Sequence, residues 1–238
     1  MKRQGPESTP NTFKARDFRR TMSGKIIGPC VLVVSVLFAV IWSFPAGHEE
    51  NLPPFGRDTV LVWEMTNKDF TTDFVVRIAA YSPNLLMEWE DRKTQGTVFI
   101  PSREIIGAKG YVNNKLFKSG MDTRAKDETT IWLSRSVYRD LKENTEAKLK
   151  IERVQGRMTY LGEEELAVEV NGSPMKLPVI KVRDSRKAEW WFLDREDNPL
   201  MVQYRMREYR KTLVSITTNR KNTLRWLKGP KLERMLQD

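Results

Sequence analysis

Short runs of alternating apolar and polar residues fill most of the chain after residue 59, and this alternation is typical of β-strands with one buried face. The clearest pair is Glu165–Val170 and Lys176–Val182, which flank Asn171-Gly172, a dipeptide that favours a two-residue hairpin turn. Eight further runs predict strands: Val60–Met65, Asp73–Tyr81, Leu85–Glu90, Gly96–Pro101, Gly107–Val112, Ala188–Asp194, Leu200–Met206 and Tyr209–Thr217. Together they predict one mainly β domain over residues 59–218, built as a single curved antiparallel sheet.

The same pattern predicts only one or two short helices. Ser134 or Ser136 precedes Val137–Glu143, in which Val137 and Leu141 would share a buried face. A weaker helix is predicted over Leu224–Lys228, where Gly229-Pro230 follows as a helix breaker. The fold class is therefore mainly β, with a minor α contribution.

One segment has no alternation at all. Residues 26–44 carry no charged side chain, and a helix of that length spans about 28 Å, close to the hydrocarbon thickness of a bilayer. Residues 1–25 hold seven basic and two acidic side chains, or +5, which predicts a cytoplasmic basic tail. We therefore predict a transmembrane helix over 26–44 that places the rest of the chain outside the cytoplasm, as a single-pass protein of a bacterial inner membrane. A cleaved signal peptide and a buried core helix are the alternatives.

The predicted helix is followed by a Pro- and Gly-rich run, residues 45–58, that predicts a flexible stalk. Charge is unevenly distributed beyond it. Residues 46–202 hold 24 basic against 26 acidic side chains, or −2, whereas residues 203–238 hold ten against three, or +7. The basic character of the chain is therefore concentrated at its ends, and no nucleic-acid-binding motif accompanies it, so a nucleic-acid partner is not expected.

The basic C-terminal segment, residues 219–238, contains one aromatic residue among its cations. Trp226 lies between Arg225 and Lys228. Such a cluster can lie against anionic lipid headgroups, with a solvated tail as the alternative. These three residues are the predicted membrane-surface site.

Residue types exclude several kinds of chemistry. The chain has one Cys and one His, so an intrachain disulfide, a Cys/His zinc site and a Cys–His catalytic pair cannot form. Ser173-Pro174-Met175-Lys176 matches the S-x-x-K pattern but is better explained as a hairpin turn. Asp194–Asn198 offers oxygen ligands for calcium but lacks the Gly and distal Glu of the usual loop, so a β-turn is favoured. No cofactor, metal or catalytic residue is predicted.

The aromatic residues are more informative. In Trp190-Trp191-Phe192, neighbouring side chains point to opposite faces of the predicted strand, so both faces carry large apolar groups. A helix, a second layer or a hydrophobic ligand must cover the second face. Core packing and a pocket for a lipid-like ligand are the two interpretations, and Trp190, Trp191 and Phe192 are the candidate ligand-binding residues.

A resemblance extends from this strand. The segment 190–204 joins an aromatic strand that ends in Asp194 to an apolar strand through Asn198-Pro199, and this paired pattern is similar to periplasmic lipoprotein-carrier-like domains and related periplasmic proteins. The resemblance implies a curved antiparallel sheet wrapped around helices, with acyl chains held inside. The chain differs from that pattern in its predicted anchor and its small helix content.

Three classes of function remain open from the sequence. The first is a membrane-anchored extracytoplasmic binding domain for a lipid or another envelope component, which needs no enzymatic activity. The second is an envelope hydrolase, which needs carboxylates that converge in a cleft with shifted pKa values. The third is a structural subunit of a membrane assembly, which needs an exposed apolar patch or an unpaired strand edge.

Overall fold

The computed structural model describes residues 52–218, 220–221 and 223–237, and it confirms a mainly β protein with a predominantly antiparallel sheet. The strands are β1 Val60–Thr66, β2 Thr71–Ala80, β3 Leu85–Asp91, β4 Thr94–Ile100, β5 Gly110–Tyr111, β6 Asp122–Arg124, β7 Glu146–Ile151, β8 Val154–Val170, β9 Ser173–Asp184, β10 Glu189–Leu193, β11 Met201–Met206 and β12 Tyr209–Thr217. The helices are α1 Ser102–Gly107, α2 Arg135–Asn144 and α3 Pro230–Gln237. The expectation of one or two helices was wrong, since the described residues form three.

All the strands belong to one sheet of order β5-β7-β8-β9-β10-β11-β12-β1-β2-β3-β4-β6. Most neighbours are antiparallel, but β4–β6, β5–β7 and β8–β12 are parallel pairs. Strand β8 pairs with β9 and also with β12, although three strands separate β8 from β12 in the sheet. The sheet must therefore curl, and its inner face encloses the main hydrophobic core.

The predicted hairpin is present, and its strands are longer than expected. Asn171 and Gly172 form the two-residue turn between β8 and β9, with φ values of 52° and 85°. Two successive positive φ angles are what a type I′ turn requires. The sequence-based prediction began the first strand at Glu165 because the preceding Glu163-Glu164 lacks apolar alternation, whereas β8 begins at Val154.

We expect Gly172→Ala to lower the free energy of unfolding by about 1 kcal/mol, because a Cβ is strained at this positive φ. Apart from its two chain neighbours, no described residue has an atom within 4 Å of the position of that Cβ, so the loss comes from backbone conformation alone. Urea unfolding followed by tryptophan fluorescence measures it. Gly56→Ala is a matched control with equally open surroundings, and an equal loss in both variants would contradict the explanation.

Helix α2 confirms the predicted helix and its Ser134 cap. The Ser134 hydroxyl accepts a hydrogen bond from the Val137 N–H at 3.3 Å and donates one to the Ala108 carbonyl at 2.7 Å. Val137 and Leu141 are buried, as their four-residue spacing predicts. The cap therefore starts the helix and ties it to the segment after α1.

The predicted helix over Leu224–Lys228 was wrong, because these residues form bends and irregular chain. The helix starts instead at Pro230, which was expected to end one. Proline is well suited to the first position of a helix, where its missing N–H costs no hydrogen bond. The Gly229-Pro230 pair thus separates the irregular segment Leu224–Lys228 from helix α3.

The described part of the predicted stalk packs against the domain, since Leu52 and Phe55 are buried in the main core. The predicted transmembrane segment, residues 26–44, lies outside the described residues. Within the part that the structure describes, no helix is both long and apolar enough to cross a bilayer.

Candidate functional site

The predicted ligand-binding residues Trp190 and Phe192 lie on the inner face of β10 and are fully buried. Their rings are parallel, with centroids 6.2 Å apart, and the Tyr111 ring packs edge-on against both. The Trp190 indole N–H donates to the Asp184 carboxylate at 3.2 Å. Protein atoms therefore fill the surroundings of these two side chains, and a ligand-binding role for them stays a prediction.

Trp191 points to the opposite face of β10, where polar side chains cover it. Its indole N–H donates to Glu164 Oε2 at 2.7 Å, and the Lys181 ammonium lies 4.9 Å from its ring centroid. The Arg205 guanidinium lies 5.7 Å from the same ring. The aliphatic stems of such side chains cover apolar surface while their charges remain hydrated. Ion-paired side chains thus cover the second face of this strand.

The predicted membrane-surface residues lie in a loop that docks on the outer face of the sheet. The buried Glu88 carboxylate accepts hydrogen bonds from the backbone N–H groups of Arg225 at 2.8 Å, Trp226 at 2.5 Å and Leu227. The Arg225 guanidinium also pairs with Glu90 at 2.8 Å, whereas Lys228 is exposed. Contact of this loop with lipid headgroups stays a prediction.

An apolar layer completes this docking. Leu224, Leu227 and Leu232 form a second hydrophobic cluster with outward-facing residues of the sheet, namely Ala79, Leu86 and Phe99. Strand β3 is therefore buried on both faces, by the main core on one side and by the C-terminal segment on the other. The segment 223–235 is a structural layer of the domain.

The acidic turn Asp194–Asn198 is occupied by internal contacts. Asp194 accepts from the Tyr138 hydroxyl, Asp197 pairs with Arg195 at 2.7 Å, and the Asn198 side chain accepts from the Trp132 indole at 2.8 Å. The residues that the structure describes contain no group of three His, Cys, Asp or Glu side chains arranged to hold a metal ion. The turn interpretation accounts for this segment.

A different place in the fold combines a cavity with unpaired buried polar atoms. A cleft of about 320 Å³ opens at the end of β1–β3, beside the turns that join β1 to β2 and β3 to β4. We call it the aromatic cleft, and it is lined by Met65, Phe70, Thr72, Phe74, Trp89, Asp91, Arg92, Thr94, Asn114, Phe117 and Tyr209. Five of these eleven residues are aromatic, so its walls are largely flat apolar rings with polar groups between them.

The order of the sheet and one loop bring these walls together. Phe74 and Trp89 project from the inner faces of β2 and β3, with ring centroids 6.2 Å apart. Phe117, from the loop between β5 and β6, packs edge-on against both rings at 4.9 and 5.4 Å. At the mouth, the Arg92 guanidinium lies 4.1 Å from the centroid of the Phe70 ring. The cleft is thus formed by neighbouring strands and closed on one side by a loop.

A fully buried lysine lies against two of the cleft's aromatic rings, Phe74 and Phe117, although it does not itself line the cleft. Lys211 of β12 is inaccessible to solvent, and its ammonium lies 3.7 Å from the centroid of the Phe74 ring. The Trp63 and Phe117 rings surround the same ammonium at 5.5 and 5.6 Å. Lys211 Nζ has no hydrogen-bond partner among the described residues. A cation over aromatic faces is favourable, but these contacts leave its N–H donors unused.

Asp91 completes the charge arrangement of the cleft. Its Oδ1 atom is buried and also lacks a hydrogen-bond partner in the described part of the chain. Burial lowers the pKa of Lys211 to about 7, and the Asp91 charge opposes that shift. Burial also raises the pKa of Tyr209, on the cleft wall, to about 12. Among the described residues that line the cleft, Trp89 Nε1 also lacks a hydrogen-bond partner. Unpaired buried polar groups are costly and uncommon, so Asp91 Oδ1 and Trp89 Nε1 mark the cleft as a candidate binding site.

This site was not predicted from the sequence, although one signal for it was present. In the run Tyr209–Thr217, Lys211 stands in phase with Leu213, which is buried on the inner face of β12. A lysine in the apolar phase of a strand is unusual because burial of its charge is expensive. The position of Lys211 in this alternation predicts that the lysine is buried, but it does not predict which residues contact it in the fold.

No family model, curated protein or solved structure matches the chain. The fold and the site define a mainly antiparallel β-sheet protein with an aromatic cleft over a buried lysine.

Proposed function

We propose that the protein is a membrane-anchored extracytoplasmic binding domain that holds an envelope component in the aromatic cleft. The observation that carries the proposal is a cleft with five aromatic side chains in its lining, where the buried atoms Trp89 Nε1 and Asp91 Oδ1 have no hydrogen-bond partner among the described residues. Ligand sites combine largely apolar walls with a few polar groups that fix orientation. A bound molecule that pairs with these atoms would remove their desolvation cost.

The acidic side chains with shifted pKa values take part in ion pairs and hydrogen bonds. The Asp and Glu groups with shifted pKa values in the described chain are Asp122, Glu164, Glu189 and Asp197, and each pKa is lowered by hydrogen-bond donors or cations. A general acid for hydrolysis needs a raised carboxyl pKa. These acids have the opposite shift, so they are suited to ion pairs.

The location of the domain is supported by the uncharged run of residues 26–44 and the basic tail before it. We expect alkaline phosphatase fused after Asp238 of the full chain to be active in bacterial cells, and a green fluorescent protein fused there to stay dark. Fusions after residue 20, before the apolar run, serve as the matched control and should give the reverse. A fluorescent, phosphatase-inactive fusion at Asp238 would overturn the proposed location.

Ligand binding is tested by saturation-transfer NMR on the full-length protein in nanodiscs, with octanoate as an acyl probe and N,N′-diacetylchitobiose as a sugar probe. We expect at least one probe to give a signal that empty nanodiscs do not give. Thr72→Trp should abolish that signal because Thr72 lines the cleft and indole would fill it. The control is Thr71→Trp, whose side chain is exposed on the other face of β2. The absence of both signals from the wild-type protein would overturn the cleft as a binding site.

A further inference from the structure

A second cleft has a lining of charged side chains. Its volume is about 600 Å³, and the residues that line it are Arg183, Lys187, Glu189, Arg205 and Arg207. We call it the basic cleft, because four cations and one carboxylate give its lining a net charge of +3. None of these residues lines the aromatic cleft, so the two clefts are separate sites.

The register of the sheet places three of these side chains in one row. Glu189 of β10 is paired with Arg183 of β9 on one side and with Arg205 of β11 on the other. Paired residues of neighbouring strands point to the same face, and Glu189 points away from Trp190, which is buried in the core. The row therefore lies on the outer face of the sheet, and the α-carbons of its two arginines are about 10 Å apart.

Glu189 orients the two arginines of this row. Arg183 Nη2 donates to Glu189 Oε1 at 2.9 Å, and Arg205 Nη2 donates to Oε2. The hydrogen bonds from Arg183 and Arg205 lower the pKa of Glu189, so it is ionised at pH 7. Its side chain is only 13% exposed, whereas those of Arg183 and Arg205 are 51% and 48% exposed. Each guanidinium uses one of its five N–H donors here, so an anion in the cleft meets unused donors before it meets the carboxylate.

Two turns add further cations to the basic cleft. Lys187 lies in the turn between β9 and β10 and Arg207 in the turn between β11 and β12, and both are exposed. Their φ angles are 68° and 54°, values that favour Gly, Asn or Asp, so the turn conformation does not account for a long basic side chain at either position. Neither side chain has a hydrogen-bond or ion-pair partner among the described residues. Both are therefore available to an anion in the cleft.

We infer that the basic cleft binds a diphosphate group. The planar fork of arginine forms two parallel hydrogen bonds with phosphate oxygens, which makes it the side chain best suited to this ligand. One phosphate monoester brings about 1.5 to 2 negative charges. Two linked phosphoryl groups bring more charge and more acceptor oxygens, and so match a lining with a net charge of +3 and cations on three strands and turns. This site is independent of the proposed function, which concerns the aromatic cleft.

Two other anionic ligands match the basic cleft less well. A sulfate or a single carboxylate carries less charge and fewer acceptors than four cations can use. A single-stranded nucleic acid also carries phosphates, but its bases need aromatic side chains on which to stack. The described residues that line the basic cleft include no aromatic side chain.

The test is isothermal titration calorimetry at low salt on the full-length protein in phosphatidylcholine nanodiscs, which carry no net charge. The probes are pyrophosphate, sulfate and oligothymidylate. We expect pyrophosphate to bind about tenfold more tightly than sulfate, and Lys187→Asn and Arg207→Asn each to weaken it about fivefold. Asparagine tolerates positive φ, so these variants remove a charge and keep the turn. Lys176→Gln is the matched control, since Lys176 is an exposed cation on β9 seven residues from Arg183 and should leave the affinity unchanged.

The outcomes separate the ligand class from its source. Equal affinity for sulfate and pyrophosphate, or binding of oligothymidylate without binding of pyrophosphate, would overturn the inference. Pyrophosphate binding that Lys187→Asn and Arg207→Asn leave unchanged would place the site elsewhere and overturn it as well. Where pyrophosphate binds as expected, flotation with phosphatidylcholine vesicles that hold a polyprenyl diphosphate, but not with vesicles that lack it, identifies a lipid headgroup as the source. Pyrophosphate binding without such flotation identifies a soluble diphosphate.

Discussion

Replacing Lys211 by Met is expected to stabilise the protein by about 3 to 5 kcal/mol at pH 7. Burial lowers the pKa of this ammonium from 10.5 to about 7. Each unit of that shift costs about 1.4 kcal/mol when the group is charged in both the folded and the unfolded chain. Methionine has a similar length and no charge to desolvate, so the variant avoids that cost.

The pH dependence of the effect has a definite sign. Below pH 7 the lysine is charged in both states and its full cost is present. Between about pH 7 and 10 the unfolded chain binds more protons at this position than the folded protein, so wild-type stability rises with pH. The stability advantage of Lys211→Met should therefore shrink by about 1.4 kcal/mol per pH unit over this range.

Urea unfolding of the full chain in detergent at pH 7, 8 and 9 provides the measurement. Lys148→Met is the matched control, because Lys148 is exposed on β7 and its removal should give a difference that does not change with pH. If the free energy of unfolding changes with pH equally in Lys211→Met and in the wild-type protein, the Lys211 ammonium is hydrated. That result would contradict its burial against the aromatic rings.

Glu88→Gln is expected to release the C-terminal segment from the sheet, at a cost of about 3 kcal/mol. The carboxylate of Glu88 accepts from three consecutive backbone N–H groups, Arg225 to Leu227, and is buried beneath them. Glutamine has the same size but carries one NH₂ group, which faces these donors instead of accepting from them. The apolar contacts of Leu227 with the sheet weaken at the same time.

Hydrogen–deuterium exchange at the amides of Arg225–Leu227 reports this release directly. We expect exchange to become at least tenfold faster in Glu88→Gln and to stay unchanged in Glu64→Gln, a substitution of an exposed carboxylate on β1. Equal protection of the three amides in Glu88→Gln and the wild-type protein would mean that the apolar cluster alone holds the segment.

Local signals made part of the fold predictable. The hairpin at Asn171-Gly172 and helix α2 depend on neighbouring residues, through positive φ angles in one case and a serine cap in the other. The first part of β8 was missed because Glu163 and Glu164 interrupt its apolar alternation. Their charges are paired with Lys142 and Lys181, contacts that a single-sequence pattern does not encode.

The aromatic cleft was not predictable because its parts are far apart in sequence. Phe74, Trp89, Phe117 and Lys211 meet only after β1, β2, β3 and β12 become neighbours in the sheet. The sequence predicted that the apolar second face of β10 would be covered, and Trp191 is buried there beneath ion-paired side chains. It did not predict the second layer on β3, where Leu86 and the buried Glu88 share the outer face.

The position of β1 in the sheet has a consequence for how the chain is made. It pairs with β12, whose partner residues lie about 150 positions later, so Val60 meets Thr217. A ribosome must therefore synthesise the chain through β12 before strand β1 gains both neighbours, and pairings of such long range form slowly. A message truncated before codon 209 would yield a product whose strand β1 keeps an open edge, and such edges recruit other chains into aggregates.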